Sequence, residues 1–197
     1  LGTVRYKLSE ADYDRILDVL KKHNIRYLHY IGGNDSSDTS WQLARLAVSS
    51  GYELHVVAVP KTVDNDLVHT DHCPGYPSAA RFVAMATRDT GRDTEAMGPE
   101  SPVKILEVMG RNTGWLTAAA ALARQEEGDP PHLVYVPERP VSVEQLLQDV
   151  ERCYREREYV VIAMSEGAQE SAGKTLGEAF APKEVDTFGH RMKGGVS

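Results

Sequence analysis

Short apolar runs with strand character alternate with helical patterns along almost the whole of this chain, and that alternation leaves few folds open. Ser9-Glu-Ala-Asp12 is a capping box, and Tyr13, Ile16, Leu17 and Leu20 behind it fall on one helical face, with Asn24 as the stop. Tyr27–Ile31 reads as a strand ending in Gly32-Gly33. Ser36 or Ser37 predicts the cap of a helix through about Ser49, and 54–59 reads as a buried strand. Pro74-Gly-Tyr-Pro77 then reads as a hinge. A helix is expected from Ser78 to Asp89, stopping at Gly91, with a loop over 91–101. Strand 103–108, helix 115–127, strand 132–136, a helix opened by the Ser142/Gln145 capping box and strand Tyr159–Ala163 complete the alternation. Such an order predicts βαβ units on a largely parallel sheet. A boundary at residue 76 divides it into two α/β domains, 1–76 and 77–197, facing one cleft. Both ends read as cut, so each domain is expected to lack a part.

With 197 residues, 41% of them hydrophobic and 26% charged, the chain can bury a core of ordinary globular kind. A net charge of −7 argues against a nucleic-acid partner held by a general basic surface, though a local Lys/Arg cluster can still hold phosphate. No run of about 18 apolar residues is present, and no secretory leader opens the chain, so a cytoplasmic protein with no membrane partner is expected. Cys73 and Cys153 read as reduced thiols, and the close pair His69 and His72 lacks a third ligand for zinc.

Four loops follow strand-like runs, where open α/β sheets bind their ligands. Lys61-Thr-Val-Asp-Asn-Asp66 offers a cation for a phosphate and carboxylates for a proton or a metal, which is what phosphoryl transfer requires. A solvated turn is the rival reading, because Asp and Asn favour turns. Met109-Gly-Arg111 offers a guanidinium fork for an anion, or else a structural ion pair. Gly32-Gly-Asn-Asp-Ser36 opens a helix whose free N–H groups favour phosphate; Asp35 would repel it unless Mg²⁺ mediates. Taken alone, such a glycine turn is also an ordinary structural device. Ser165-Glu-Gly167 ends the last strand, where Glu166 can accept hydrogen bonds from sugar hydroxyls. Trp115 reads as core packing.

In this order, Gly32-Gly33, Pro60-Lys-Thr-Val-Asp-Asn-Asp66, Met109-Gly-Arg111 with Gly114-Trp115, Ser165-Glu-Gly167 and Gly189-His190 resemble the phosphofructokinase family over nearly the whole chain. The resemblance implies two doubly wound α/β domains, with the phosphoryl donor on the first and the sugar phosphate largely on the second. It implies Asp64 as the base that takes the proton of the sugar 1-hydroxyl, with Thr62 and Asp66 flanking it on substrate or metal-bound phosphate. Met109, Gly110, Arg111, Glu166, His190 and Lys193 belong, by the same resemblance, to the fructose 6-phosphate pocket. Family members are homo-oligomers that share some sites across subunit interfaces.

Donor-side residues resemble the pyrophosphate-dependent branch. Asp35 and Lys61 both stand where ATP-using members have glycine. Asp35 adds charge where a nucleotide α-phosphate would lie; Lys61 adds a cation, at the catalytic centre, for the departing orthophosphate. Thr70-Asp-His-Cys-Pro-Gly75 resembles that branch too. Gly33, Asp35 and Lys61 are therefore the expected donor contacts, and Asn34, Asp35 and Asp66 the expected Mg²⁺ ligands. Departures are Asn34 in place of a usual Asp, Lys193 in place of Arg, and Glu184 near a usual Arg with Lys183 beside it. The family's N-terminal glycine-rich donor loop is missing. An ATP-dependent kinase, a kinase of another sugar phosphate and a non-catalytic regulatory subunit are the competing readings.

Overall fold

The computed structural model describes residues 6, 8–171 and 174–177. Two compact units meet in sequence between Thr62 and Val63. The expectation put the domain boundary at residue 76. Val63 and Tyr76 instead pack beside Ala80, Val108, Leu116 and Ala119, so the segment between them travels with the second unit.

In the first unit, α1 (Glu10–Lys22) starts at Ser9, whose N and Oγ both donate to Asp12 Oδ2, at 2.8 and 2.6 Å. Strands β1 (Tyr27–Gly32) and β2 (His55–Pro60) pair in parallel through α2 (Asn34–Ser49). Leu17, Leu20, Leu43 and Ala47 form the buried apolar layer. β2 is not the buried strand its composition suggests. Tyr27, Ile31, Val57 and Val59 lie on an open sheet face, with Val57 47% exposed. Two strands and their helices cover one face only.

α2 also begins earlier than expected. Its N-cap is Gly33, and neither Ser36 nor Ser37 caps it. Ser37, Thr39 and Ser40 lie inside the helix and turn their hydroxyls back to the carbonyls of Gly33, Asp35 and Ser36, one turn behind.

The second unit is built on a parallel sheet in the order β3 (Val103–Val108), β5 (Val160–Ser165), β4 (Leu133–Tyr135). Every residue of β5 is buried, as a central parallel strand covered on both faces requires. On one face Ile162 and Met164 pack with Leu146 and Val150 of α5 (Val143–Arg157). The other face meets α3 (Tyr76–Met97) and α4 (Trp115–Ala119). A short antiparallel pair, β6 (Gln169–Ser171) and β7 (Lys174–Thr175), follows.

Three expectations in this unit are corrected. Pro74–Pro77 is no hinge: Gly75, at φ +88°, caps α3, and Pro77 occupies its first turn, where a missing N–H costs nothing. Gly91 does not stop α3, which runs on to Met97. A Cβ at Gly91 would overlap the Pro130 ring, so this glycine admits a neighbour. The helix expected over 115–127 tightens into a 3₁₀ turn at Ala120–Ala123, after which Asp129 Oδ2 accepts from the N–H groups of Gln125 and Glu126 and reverses the chain. No helix among the described residues is long and apolar enough to cross a membrane.

Candidate active site

The loop after β2 carries Lys61, Asp64 and Asp66, and the division between the two units falls within it, after Thr62. Lys61 closes the first unit; its N–H donates to Gly32 O at 2.7 Å and its side chain is exposed. Asp64 and Asp66 are half-buried in the second unit, around the buried Asn65. Thr113 Oγ1, from the loop before α4, donates to Asp64 O at 3.0 Å. That hydroxyl joins the Asp64 loop to the Met109–Arg111 loop, which are 49 residues apart in sequence.

The Met109–Arg111 loop is in turn locked onto the end of β5. Ser165, wholly buried, donates through Oγ to Gly110 O at 2.5 Å and accepts from Gly167 N at 3.0 Å. Glu166 N donates to Val108 O at 2.9 Å, while Glu166 Oε1 accepts from Gly110 N at 3.3 Å. Gly110 sits at φ +132°, a conformation side chains rarely adopt. Gly167 is needed for closeness instead: a Cβ there would overlap the Arg111 carbonyl.

These constraints present Arg111 and Met109 to solvent, with Met109 58% exposed. Arg111 Nε lies 4.0 Å from Glu166 Oε1, and its side chain is 62% exposed. A solvated pair at that separation is worth about 0–1 kcal/mol. The guanidinium is thus held near Glu166 without being consumed by it, which suits recruitment of a second anion. Trp115, expected in the core, is 55% exposed as the first residue of α4. Its neighbour Gly114 does the structural work there, donating its N–H to Glu138 Oε1 at 2.8 Å.

On the first unit, Asn34 and Asp35 are exposed in the first turn of α2. Gly32 has no room for a side chain, since a Cβ would overlap Ser36. A Cβ at Gly33 would meet only Lys61 O, at 3.6 Å. Gly33 therefore has no packing reason to be glycine, which leaves open space beside the helix N-terminus. Thr62 is half-buried at the end of this unit. His190, Lys193, Lys183 and Glu184 lie outside the described residues.

Oxygen is the only donor offered by Asn34, Asp35 and Asp66, and Asp66 Oδ1 is buried. No group of three His, Cys, Asp or Glu side chains converges among the described residues. Asn34 and Asp35 on the first unit, and Asp66 on the second, are each the kind of oxygen donor that a hard cation takes together with substrate phosphates.

Residue reading missed Asn65 and Thr113. Asn65 was visible only as a spacer between aspartates, and Thr113 carried no signal at all, because its partner lies in a distant loop.

The phosphofructokinase family profile matches residues 1–197. The pyrophosphate–fructose 6-phosphate 1-phosphotransferase of Xanthomonas campestris pv. campestris (strain B100) is 43% identical over 202 residues, covering 100% of this chain and 48% of that protein. A sulfofructose kinase of Alkalicoccus urumqiensis is 42% identical over 167 residues, 85% of this chain and 44% of that protein. Among solved structures, the pyrophosphate-dependent phosphofructokinase of Marinobacter aquaeolei superposes with a TM-score of 0.75 at 45% identity, over 85% of this chain and 42% of that one. The chain thus spans about half the length of the curated relatives it matches.

Proposed function

The chain belongs to the phosphofructokinase family, and from that premise we propose that its protein moves a phosphoryl group from pyrophosphate to the 1-hydroxyl of fructose 6-phosphate. The products are fructose 1,6-bisphosphate and orthophosphate. The observation that carries this reading is the Thr113–Asp64 hydrogen bond, which ties a candidate base to the loop bearing Arg111.

In this reading Asp64 takes the proton of the sugar 1-hydroxyl as its oxygen attacks the terminal phosphorus. The bridging P–O bond breaks and orthophosphate leaves, its charge met by Lys61. Arg111 and the 109–110 backbone, with His190 and Lys193, hold the 6-phosphate end, and Glu166 accepts from sugar hydroxyls. Thr62 and Asp66 flank the transferred group. Gly33, Asp35 and Lys61, all in the first unit, are the donor contacts, and most sugar contacts come from the second. Asn34, Asp35 and Asp66 would hold Mg²⁺, which neutralises phosphate charge when bound.

The same reading takes the protein as a homo-oligomer with sites completed by a neighbouring subunit; Phe82 and Met85, one helical turn apart on α3 and 71% and 45% exposed, are an apolar pair that such an assembly would cover. Free, buried Cys73 and Cys153 support a reducing, cytoplasmic location.

A second reading, of the acceptor, is favoured by the similarity to a sulfofructose kinase: the acceptor is another anionic fructose. One experiment tests both. Full-length protein and its Asp64→Asn variant are assayed with Mg²⁺, pyrophosphate or ATP as donor, and fructose 6-phosphate or sulfofructose as acceptor. Orthophosphate-releasing turnover of fructose 6-phosphate with pyrophosphate is expected, falling about 10²–10⁴-fold in kcat in the variant with KM little changed. Preference for ATP or for sulfofructose would replace the donor or acceptor assignment, and wild-type turnover in Asp64→Asn would remove Asp64 from the mechanism.

A further inference from the structure

Asn65, between the two aspartates, has no chemistry assigned to it in the reaction above. Its position is nonetheless the most constrained in the loop. It is 6% exposed, and its backbone sits at φ +58°, in the left-handed region. Both ends of its amide are used: Nδ2 donates to Asp71 O at 3.0 Å, and Oδ1 accepts from Cys73 N at 2.8 Å. Cys73 is itself 1% exposed, so the chain from 65 to 73 is closed on a buried anchor. On the opposite flank, Thr113 Oγ1 holds the carbonyl of Asp64.

Side-chain chemistry explains why asparagine stands here. Asn tolerates the left-handed region better than most residues. Aspartate would keep the acceptor for Cys73 N but set an oxygen against Asp71 O. Glycine would keep the backbone and lose both bonds. Only an amide of this length supplies donor and acceptor from a left-handed residue.

We propose that Asn65 is a positioning residue: its amide, with the Thr113 hydroxyl on the other side, fixes the Asp64 backbone so that the carboxylate is presented to the acceptor hydroxyl. This rests on Asp64 being the base. Displacement of a reacting group by about 1 Å costs up to roughly 10²-fold, so the effect belongs in kcat.

The test is a mutant cycle on the full-length enzyme, read as kcat and KM with pyrophosphate and fructose 6-phosphate, alongside thermal melting. Asn65→Gly should lower kcat roughly 10- to 100-fold with both KM values within about twofold. Added to Asp64→Asn it should lower kcat no further, because residues that act as a unit are not additive. Thr113→Val should reproduce the kcat loss in a fold with Asn65 intact, and Thr113→Ser should restore it. Asn65→Gly that melts earlier yet keeps wild-type kcat, or that multiplies the Asp64→Asn defect, would overturn the proposal. So would a Thr113→Val enzyme with wild-type kcat if Asn65→Gly fails to fold. An active Asp64→Asn enzyme would overturn the base assignment itself and the positioning role with it, a result separate from the others.

Discussion

Gly167→Ala is the substitution that most directly probes whether the Arg111 loop depends on its contact with the end of β5. A Cβ on Gly167 would overlap the Arg111 carbonyl oxygen and lie 2.6 Å from its carbonyl carbon and 2.8 Å from its Cα. Carbon atoms in contact sit about 3.5–4.0 Å apart, so the Arg111 backbone must retreat by roughly 1 Å. Retreat is opposed by two bonds on the preceding residue. Gly110 O is held by Ser165 Oγ at 2.5 Å, and Gly110 N by Glu166 Oε1 at 3.3 Å. Overpacking of this kind costs about 1–3 kcal/mol. A guanidinium carried about 1 Å out of register should raise the KM for fructose 6-phosphate roughly 10- to 100-fold. Steady-state kinetics of the full-length variant, varying each substrate in turn, with thermal melting beside them, read both effects. The KM for pyrophosphate should stay within about twofold. A variant with wild-type melting and wild-type KM for fructose 6-phosphate would refute the claim that Gly167 sets the Arg111 loop.

Three further outcomes are expected. Gly91→Ala gains helix propensity worth about 1 kcal/mol but drives a methyl into the Pro130 ring at a cost of about 1–3 kcal/mol, so a net loss of up to about 2 kcal/mol should lower the urea midpoint; a raised midpoint would show that the α3–Pro130 contact yields. His132 is held below its ordinary pKa of 6.5 by burial and then by Arg157 and Arg124, and its Nδ1 already accepts from Val161 N at 2.9 Å. The unfolded chain therefore takes up this proton first as pH falls through 6.5, and stability should drop from there down to the lowered folded pKa. Plots of melting temperature against pH should be flatter over that window in His132→Gln. Asp35→Gly should raise the ATP-to-pyrophosphate ratio of kcat/KM by at least ~10-fold, since like-charge contacts discriminate by several kcal/mol; an unchanged ratio would end the electrostatic account of donor choice.

Legibility of this fold followed the range of the interactions that make it. The capping signals at Ser9 and Ser142 are local: Ser142 Oγ accepts from Gln145 N at 3.1 Å, and both helices begin where those residues stand. The run Tyr159–Ala163 reads as a strand from its β-branched residues, and its burial on both faces follows from its central place between β3 and β4. Glycine and proline were the weak points. Gly91 is a notch for Pro130 and Pro77 a first-turn residue, yet each also breaks helices, and only the neighbour decides which role wins. Burial of β2 misled for the complementary reason: an apolar strand states what it can bury against, and only one of its faces is covered here.

The candidate site divides along the same line. Carboxylate, ammonium and guanidinium at strand ends declare their chemistry by residue type, so Lys61, Asp64 and Arg111 stood out without any structure. Within the second unit, what links the Asp64 loop to the Arg111 loop is a set of bonds to backbone atoms across the fold. Thr113 reaches Asp64 over 49 residues, Ser165 reaches Gly110 over 55, and Glu166 reaches Gly110 over 56. In each pair at least one partner is a peptide group, which every residue possesses, so no residue type marks the position in advance. It follows that the reactive loop is not a transferable unit. Residues 63–66 moved alone onto another parallel sheet would keep both aspartates, and would lack the Thr113 hydroxyl that joins their loop to the Arg111 loop and the 165–167 turn that holds the latter.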